Sequence, residues 1–491
     1  MPTGHTVRPQ HNPVVNGKNC RKVAIIAVMV DNQVPKAHTM LLAFQAENAR
    51  SFRDRLDFSL EATAIAEPDV VRQVPWRRDG RTLLSILPAA GVFGANASGK
   101  TNLLRAMADM RRFVQLSYKA TGGRRGERPL RRLRRPFRLD PRCERLPSTY
   151  EIDLILGGIR YEYGFVVDDV RVISEWARRY PRGKPQTIFE RKPGFIHVME
   201  GRSGKARAVQ ELLRDDALFL SIAAAAEYEE LEPLYRWFDK NFWMCDASSR
   251  DSRSRYTAHL MKHEHRRLQV LELLQLADLG ITDASQRKPD PEQLELIKRI
   301  AQVIREQVDI PGDDDDSDEA GEVAEPDIGG IVLSHRGRHG SVEFQTGDES
   351  LGTLVWLGLI GPLLDALIHG SVLLVDELEA SLHPLLVERF VKLFQSPESN
   401  PHGAQLIFNS HEARLLGNST DTRVLGRDQA WFTVKLEDGS TRIYPLSDLN
   451  PRKSEAVARR YMEGRYGATP IVNAKEFTAL AAMLAKETVD L

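Results

Sequence analysis

The sequence predicts an α/β fold that is split into two lobes by a helical insertion. Three observations predict this class. An apolar strand from Leu83 to Phe93 enters a glycine-containing loop, which opens onto a helix-forming segment. A second apolar run, Val372 to Val375, ends directly on two carboxylates. Between these segments, the two-residue period of strands over residues 148–200 changes to the three-to-four-residue spacing of helices over 207–308.

The composition of the 491-residue chain is that of a globular protein, and its length allows two to four domains. Hydrophobic residues make up 42% and charged residues 28%, which provides enough apolar surface for a core. Lys and Arg total 68, as do Asp and Glu, so the formal net charge is zero. This balance excludes a positive electrostatic potential over the whole protein, but it allows local basic patches. The three cysteines lie far apart, which fits no disulfide framework and indicates the cytoplasm.

The chain is predicted to divide into five segments. The first is a disordered extension, whose basic and apolar stretch imitates a signal peptide but is followed by no small-residue cleavage site. The fourth is rich in Asp and cannot bury enough apolar surface to order itself, which predicts a linker. The segments are the extension (1–39), an N-lobe (40–200), the helical insertion (201–312), the acidic linker (313–328) and a C-lobe (329–491).

The apolar stretch over residues 350–375 could be mistaken for a membrane span. Gly361-Pro362 is expected to interrupt it, and Gly370-Ser371 supplies a turn before the second apolar strand. A buried helix, a turn and a buried parallel strand explain the stretch better. We therefore expect no membrane association.

A phosphate-binding loop follows the first apolar strand. Its residues, Gly94-Ala95-Asn96-Ala97-Ser98-Gly99-Lys100-Thr101, match the pattern G-x-x-x-x-G-K-[ST] in full. In this pattern backbone N–H groups surround the phosphates, the lysine reaches the β- and γ-oxygens, and the threonine binds Mg²⁺. Asn102 opens the following helix, whose N-terminus adds positive potential. The segment therefore predicts a site for ATP and Mg²⁺.

The second apolar strand ends on Asp376 and Glu377, which is the second signature of such nucleotide sites. Asp376 is expected to hold Mg²⁺, directly or through water. Glu377 is expected to activate the attacking water as a general base. Two solvated acids at a strand end would be the simpler interpretation of this motif alone, but a complete phosphate loop in the same chain favours the functional one.

Two further segments point to a particular branch of nucleotide hydrolases. Ser350-Leu351-Gly352-Thr353 heads a helix before Asp376, and the helix N-terminus at Ser350 and Gly352 could bind a phosphate. An apolar strand ends on His411, which could sense the γ-phosphate and orient the water. The alternatives stay open: Ser350 could be an ordinary helix cap, and His411 a surface histidine.

This order of motifs resembles that of ABC-type ATPases, and within them the SMC/RecF/OLD-like branch of the AAA-family ATPases. The resemblance extends over about residues 40–472 to the bacterial RloA-like and AriA-like ATPases of phage defence. It is carried by Asn48-Ala49-Arg50-Ser51-Phe52, by Asn409-Ser410-His411-Glu412, and by three C-terminal segments, Arg427–Phe432, Tyr444–Leu449 and Glu463–Pro470. It implies a P-loop NTPase of the ABC/SMC-head type that acts as a homodimer or higher homo-oligomer.

The resemblance further implies that ATP-driven assembly regulates a separate effector protein, a nuclease or toxin. In this family the signature helix acts on the ATP of the partner subunit. The signature here departs from the family pattern, since it is Ser-Leu-Gly-Thr rather than Ser-Gly-Gly. The segment Glu379-Ala380-Ser381-Leu382-His383-Pro384 fits the subgroup but not transporters. No glutamine can be placed securely in the Q-loop, for which Gln186 is available.

The sequence features also bear on four alternative functions. An OLD-type nuclease-ATPase needs a C-terminal metal nuclease domain, but the aspartates after His411 form no D-x-D cluster. A RecF-like DNA-repair ATPase remains an alternative, whereas a degenerate structural module or a transporter subunit fits the motifs poorly. Nucleic acid could bind the segment from Arg124 to Arg145, which has ten arginines against three acids. A solvated loop is the favoured explanation of that run, because Phe137 is its only aromatic residue.

Overall fold

The computed structural model describes residues 39–77, 83–118, 129–199, 205–277, 279–286, 331–419, 422–470 and 474–487. The predicted extension (apart from Thr39), the acidic linker and residues 124–128 of the arginine run lie outside these ranges. In chain order the strands are β1 (Met40–Glu47), β2 (Leu56–Ser59), β3 (Arg72–Pro75), β4 (Leu83–Ile86), β5 (Ala89–Gly94), β6 (Ser148–Leu156), β7 (Ile159–Val167), β8 (Val172–Arg179), β9 (Gln186–Lys192), β10 (Phe195–Val198), β11 (Phe242–Cys245), β12 (Ile281–Gln286), β13 (Ile331–Gly337), β14 (Gly340–Gln345), β15 (Val372–Val375), β16 (Gln405–Asn409), β17 (Ala430–Lys435) and β18 (Thr441–Pro445).

Helices cover the two large sheets and connect their strands. In chain order they are α1 (Lys100–Leu116), α2 (Pro129–Leu133), α3 (Pro141–Arg145), α4 (Ala206–Glu211), α5 (Phe219–Ala225), α6 (Glu232–Lys240), α7 (Arg250–Leu260), α8 (Glu264–Leu276), α9 (Leu351–His369), α10 (Pro384–Gln395), α11 (Val457–Met462) and α12 (Ala474–Glu487).

A seven-stranded antiparallel sheet with the strand order β10-β9-β8-β7-β6-β1-β2 occupies the N-terminal half. The predicted alternation in β6 is confirmed, since Tyr150, Ile152 and Leu154 are buried and the residues between them are partly exposed. The ring of Phe113 in α1 packs 5.6 Å from Tyr150 and 5.4 Å from Phe165. This sheet therefore supports the helix that leaves the phosphate loop.

The second large sheet has the order β11-β15-β16-β5-β17-β18, and its first five strands are parallel. Every residue of β15 and β16 is buried, as expected for parallel strands that are covered on both faces. The predicted α/β fold class is confirmed. Because parallel strands end at the same edge, this sheet brings the ends of β5, β15 and β16 together.

The expectation of one strand from Leu83 to Phe93 is wrong. β4 pairs with β3 in a separate hairpin, whereas β5 pairs with β16 and β17 in the parallel sheet. Pro88 lies between them and has no N–H to donate to a ladder. The chain changes sheets at this position.

The expected interruption at Gly361-Pro362 is also wrong, because α9 runs through Pro362 without ending. The Thr257 hydroxyl of α7 accepts a hydrogen bond from the Gly361 N–H (3.1 Å) and donates one to the Leu357 carbonyl (2.9 Å). It thus bridges these two groups in the turn that precedes Pro362. A Cβ at position 361 would lie 2.6 Å from this hydroxyl, so glycine is required.

Helix α9 is also the one helix of the described residues that is long and apolar enough to cross a membrane. Most of it is buried inside the protein, as predicted for a core helix. It ends at Gly370, whose φ of +68° is the left-handed conformation that glycine adopts at helix ends.

Residues 205–277 of the predicted insertion contain the helices α4 to α8, but they also contribute the strand β11 to the parallel sheet beside β15. β12 pairs with β13 in a smaller antiparallel sheet with β14. The lobe and insertion boundaries stay predictions.

Candidate nucleotide-binding site

The carboxyl edge of the parallel sheet brings together three polar side chains from three elements. The Thr101 hydroxyl at the start of α1 donates a hydrogen bond to Asp376 Oδ1 after β15 (2.8 Å). The Asn409 amide at the end of β16 donates to the same Asp376 oxygen and, at 3.4 Å, to Thr101 Oγ1. The structure thus brings together Thr101 and Asp376, the two residues predicted to bind Mg²⁺. Asn409 is an additional member of this group that was not predicted from the sequence.

Lys100 lies inside the phosphate loop with only 6% of its surface exposed. Its ammonium donates hydrogen bonds to the carbonyls of Gly94 (3.0 Å) and Ala95 (3.1 Å). Burial lowers the pKa of Lys100, and the nearby carboxylates oppose this, with Glu379 the strongest, followed by Glu377 and Asp376. The buried ammonium of Lys100 is thus stabilised by three carboxylates that follow β15.

The backbone of the loop has the conformation that wraps an anion. Ala97 has a φ of +59° and Gly99 a φ of +106°. Asn96 and Ala97 at the tip are exposed, and Asn102 continues into α1. Successive N–H groups in such a turn, together with a helix N-terminus, make a concave site for phosphate.

Hydroxyl groups from outside the motif hold the loop in place. A Cβ at Gly94 would lie 2.5 Å from Thr433 Oγ1, and a Cβ at Gly99 would overlap Thr441 Oγ1. The Ser98 hydroxyl lies 2.6 Å from that of Thr433 in β17. Thr441 at the start of β18 donates to the Ser98 carbonyl (2.9 Å). The two glycines are therefore required by the close approach of the β17–β18 hairpin.

The turn after β1 completes this support. Ser51 and Thr441 place their hydroxyls 2.8 Å apart, and Arg50 forms a two-bonded ion pair with the buried Asp109 of α1 (2.5 and 2.8 Å). Ser51, Thr433 and Thr441 were missed as site residues. The only signal in the sequence was that Ser51, Thr433 and Thr441 fall within or near segments that carry the family resemblance.

Glu377 has a φ of +53°, which is unusual for a residue with a side chain, and it is exposed. Such a conformation costs about 1–3 kcal/mol and is kept where surrounding contacts impose it. Here the Glu377 N–H donates to Asn409 Oδ1 (2.7 Å). Asn409 thereby fixes both acids of the motif, Asp376 through its amide nitrogen and Glu377 through its amide oxygen.

His411 lies at the same edge, directly after β16, and is exposed. Its backbone N–H donates to Glu379 Oε1 (2.6 Å). The other oxygen of Glu379, Oε2, is buried and has no hydrogen-bond partner among the described residues. The role of the His411 imidazole stays a prediction.

Ser350 is the N-cap of α9, and its hydroxyl accepts a hydrogen bond from the Thr353 N–H (3.1 Å). A Cβ at Gly352 would lie 2.7 Å from the carbonyl of Ser381, which itself has a φ of +61°. The signature turn therefore packs against the segment that follows Glu377. Within this chain Ser350 behaves as a helix cap, and the cross-subunit contact stays a prediction.

Gln186 belongs to the antiparallel sheet and not to the parallel sheet that carries Asp376. It begins β9 of the antiparallel sheet, and its side chain accepts a hydrogen bond from Arg179 (2.9 Å). The structure gives it no place at the edge that carries Asp376.

The described part of the arginine run, residues 129–145, has two kinds of arginine. Arg134 is buried and donates to Asp169 (2.7 Å) and to the Leu146 carbonyl (2.8 Å), which is a structural role. The others are exposed: Arg131, Arg132, Arg135, Arg138, Arg142 and Arg145. Asn48 connects this segment to the turn after β1, since its amide donates to the Cys143 carbonyl (2.7 Å).

Part of the chain matches a known protein family. Residues 89–417 match the family described as "AAA domain, putative AbiEii toxin, Type IV TA system". This range includes both predicted nucleotide motifs, the signature turn and His411. A search of curated proteins found no significant match.

Solved structures of SMC heads are similar over most of the chain, but at low identity. They are an SMC head bound to the C-winged helix domain of ScpA (13% identity, TM-score 0.39, 83% of this chain and 99% of that one), the SMC head domain from Thermotoga maritima (12%, 0.33, 82% and 98%), and the Pyrococcus furiosus Smc head with an extended coiled coil bound to the C-terminal domain of ScpA (13%, 0.32, 84% and 98%).

Proposed function

Since the chain belongs to the family described as "AAA domain, putative AbiEii toxin, Type IV TA system", we propose that it binds and hydrolyses ATP and that nucleotide-driven assembly regulates a partner protein. The observation that carries the proposal is the contact of Thr101, Asp376 and Asn409 beside the buried Lys100. These groups come from three separate elements and meet at the edge where parallel α/β sheets bind ligands.

The loop from Gly94 to Asn102 fits the triphosphate of ATP. Its backbone already has the positive φ angles of a phosphate-wrapping turn, and its glycines leave no room for side chains. The Lys100 ammonium is held by two carbonyls of this loop. Phosphate oxygens are stronger acceptors for an ammonium than neutral carbonyls, so they would bind it in preference.

The residues present also fit Mg²⁺. Thr101 and Asp376 supply a hydroxyl and a carboxylate oxygen 2.8 Å apart, and Mg²⁺ is usually held by one or two such protein ligands plus waters and phosphates. Among the described residues no group of three or more His, Cys, Asp or Glu could hold a metal, so a carboxylate cage is not the mode of binding proposed. When bound, the ion would neutralise charge on the β- and γ-phosphates.

Glu377 is proposed as the general base. It would take a proton from water while the water oxygen bonds to the γ-phosphorus and the bond to the β,γ-bridging oxygen breaks. The electron pair of that bond stays on ADP, and inorganic phosphate is the other product. His411, at the end of the neighbouring strand, is proposed to orient the water toward the γ-phosphate.

The direct test is ATP turnover by the purified chain. Lys100→Ala should abolish ATP binding, because it removes the only buried cation that the structure places in the loop among its described residues. Lys192→Ala, an exposed lysine in the antiparallel sheet, serves as the control. Phosphate release that is equal in the wild type and Lys100→Ala, or unchanged by EDTA, would contradict the proposal.

Assembly is proposed through Ser350 and Gly352, which would contact the ATP of a second subunit. Ser350 is exposed at the N-terminus of a 19-residue helix, a suitable donor end for an anion. ATP would then favour the dimer, since it makes more contacts there. Weighing Glu377→Gln and the double variant Ser350→Arg, Glu377→Gln with and without ATP tests this. A dimer that forms equally without ATP, or in the double variant, would contradict it.

The setting is proposed to be phage defence or a DNA-associated process, with a separate nuclease or toxin as the effector. The toxin–antitoxin wording of the family description agrees with such a pairing. The alternatives are an OLD-type nuclease-ATPase and a RecF-like DNA-repair ATPase. Nuclease activity of the isolated chain would favour the first alternative, and a neighbouring gene for a toxin, protease or nuclease would favour the proposed setting.

A further inference from the structure

We propose that Glu379 is a positioning residue of the nucleotide site. Its carboxylate holds the backbone of His411 in place and places a negative charge at the edge where the phosphates are proposed to bind. This inference rests on the proposed ATPase function and deepens it.

The first observation is the contact with His411. The N–H of Ser410 still donates to the Val92 carbonyl of β5 (3.1 Å), whereas the N–H of His411 donates to Glu379 Oε1 (2.6 Å). Glu379 therefore binds the first amide beyond the sheet. A hydrogen bond to a carboxylate is about twice as strong as one between neutral groups, so it fixes the point from which the chain leaves β16.

The position of Glu379 is itself well determined. Leu378 is buried, and its N–H donates to the Asn409 carbonyl (3.2 Å). The Leu382 N–H donates to the carbonyl of Glu379 (3.1 Å). The turn after Glu377 is therefore fastened on both sides of Glu379, and it returns the carboxylate to the sheet edge.

The second observation is the oxygen without a partner. Holding one amide requires one acceptor, but Oε2 of Glu379 is buried and unpaired among the described residues. Leaving a buried polar atom unpaired costs about 1–3 kcal/mol, and more if it is charged. A glutamine would hold His411 equally well without a charge. The retained carboxylate therefore indicates a role toward the charges of the site.

The third observation identifies that role. Glu379 follows Glu377 by two residues and is bonded to the residue after β16, so its charge lies at the edge where the phosphates are proposed to bind. When phosphates enter, this charge repels them. Glu379 thus orders His411 and at the same time weakens ATP binding, which helps product to leave.

Two substitutions separate these effects. Glu379→Gln keeps an acceptor for the His411 N–H and removes the charge, whereas Glu379→Ala removes both. We expect Glu379→Gln to bind a non-hydrolysable ATP analogue about 3–10-fold more tightly, because one like charge is lost beside the phosphates. Glu388→Gln, on α10 away from the strand ends, is the control and should bind as the wild type does.

A double-mutant cycle tests whether Glu379 acts through His411. We expect Glu379→Ala to lower kcat about 10-fold or more and Glu379→Gln to lower it less than 3-fold. The double variant Glu379→Ala, His411→Ala should be no slower than His411→Ala alone. Multiplying losses in the double variant, or equal losses in Glu379→Gln and Glu379→Ala, would overturn the positioning role.

Hydrogen exchange without nucleotide provides a measurement that does not depend on hydrolysis. Amides of residues 409–416 should exchange faster in Glu379→Ala and at the wild-type rate in Glu379→Gln. Unchanged exchange in Glu379→Ala would overturn the inference even if the protein hydrolyses ATP. A wild-type chain without ATP turnover would contradict the proposed function, while the exchange result would still decide the role of Glu379.

Discussion

Two glutamates show how differently the two large sheets use a carboxylate. Glu175 in the antiparallel sheet is fully buried, and Oε1 accepts hydrogen bonds from the Tyr163 hydroxyl and the Leu220 N–H, both at 3.0 Å. Oε2 accepts one from the Phe219 N–H (2.6 Å). Glu379 at the edge of the parallel sheet has one oxygen bonded and one without a partner among the described residues.

The difference teaches what each region is built for. Glu175 caps the N-terminus of α5, whose own N-cap residue supplies no side-chain hydrogen bond, so its carboxylate is used entirely for structure. At the parallel edge, Glu377 has a positive φ and Oε2 of Glu379 has no hydrogen-bond partner among the described residues. Both features are unfavourable, and they are kept because the surrounding contacts impose them. Such uncompensated features are typical of a site that is completed by a ligand.

The largest effect is expected for Glu377→Gln. It should retain ATP and lose about 10²–10⁴-fold in turnover, since it keeps the backbone bond to Asn409 and loses only the proton acceptor. Phosphate release and ATP binding, measured separately, check it. Unchanged turnover would remove the assignment of the general base and would leave the parallel edge without its catalytic acid.

The next largest effect concerns stability, and it is expected when glutamine replaces the glutamate of each sheet, Glu175 or Glu379. Glu175→Gln should lower the free energy of unfolding by about 2–4 kcal/mol, because its amide group faces buried N–H donors that are left unpaired. Glu379→Gln should change it by less than about 1 kcal/mol. Chemical denaturation of both variants checks this, and equal losses would break the comparison.

A smaller effect is expected at Asp428, a second acid with an open oxygen, which lies away from the nucleotide edge. It is 3% exposed, its Oδ1 has no partner in the part of the chain that the structure describes, and burial raises its pKa to about 6. Since the folded state holds the proton more tightly, stability falls as pH rises from about 4 to about 6 and then stays level.

Asp428→Asn should therefore be more stable than the wild type at pH 7, by about 1–3 kcal/mol, with the gain disappearing near pH 4. Thermal unfolding between pH 4 and 7 is the measurement. If the stability difference between Asp428→Asn and the wild type does not vary with pH, the burial of the Asp428 carboxylate is not its cause. Asp428 would then differ from Glu379 in that its charge has no effect.

The smallest and least specific effect concerns the exposed arginines. Replacing Arg131, Arg138 and Arg145 with serine should weaken binding of a nucleic acid and flatten its salt dependence, while the fold stays intact because Arg134 supplies the buried contacts. Fluorescence anisotropy with duplex DNA, single strands and RNA, at two salt concentrations, checks it. Binding that is unaffected by the three substitutions would assign the run to solvation.

Much of the fold could be predicted because its signals are local. The strand alternation of β6, the apolar β15 and the helix that starts at Ser350 each depend on neighbouring residues. The failures came where distant groups decide. Pro88 divides a strand because its flanking residues pair in two different sheets. Pro362 lies inside a helix whose preceding turn is bridged by the Thr257 hydroxyl of another helix.

The sequence by itself determined the two contiguous motifs of the candidate site, since a phosphate loop and a strand that ends in acids consist of adjacent residues with fixed chemistry. The tertiary structure alone decided which other groups meet them. Asn409, Thr441 and Glu379 reach the site because parallel strands end at one edge and because the turns that follow are held there by buried contacts. Contacts of this kind depend on the order of strands in the sheet, and the spacing of residues along the chain does not predict that order.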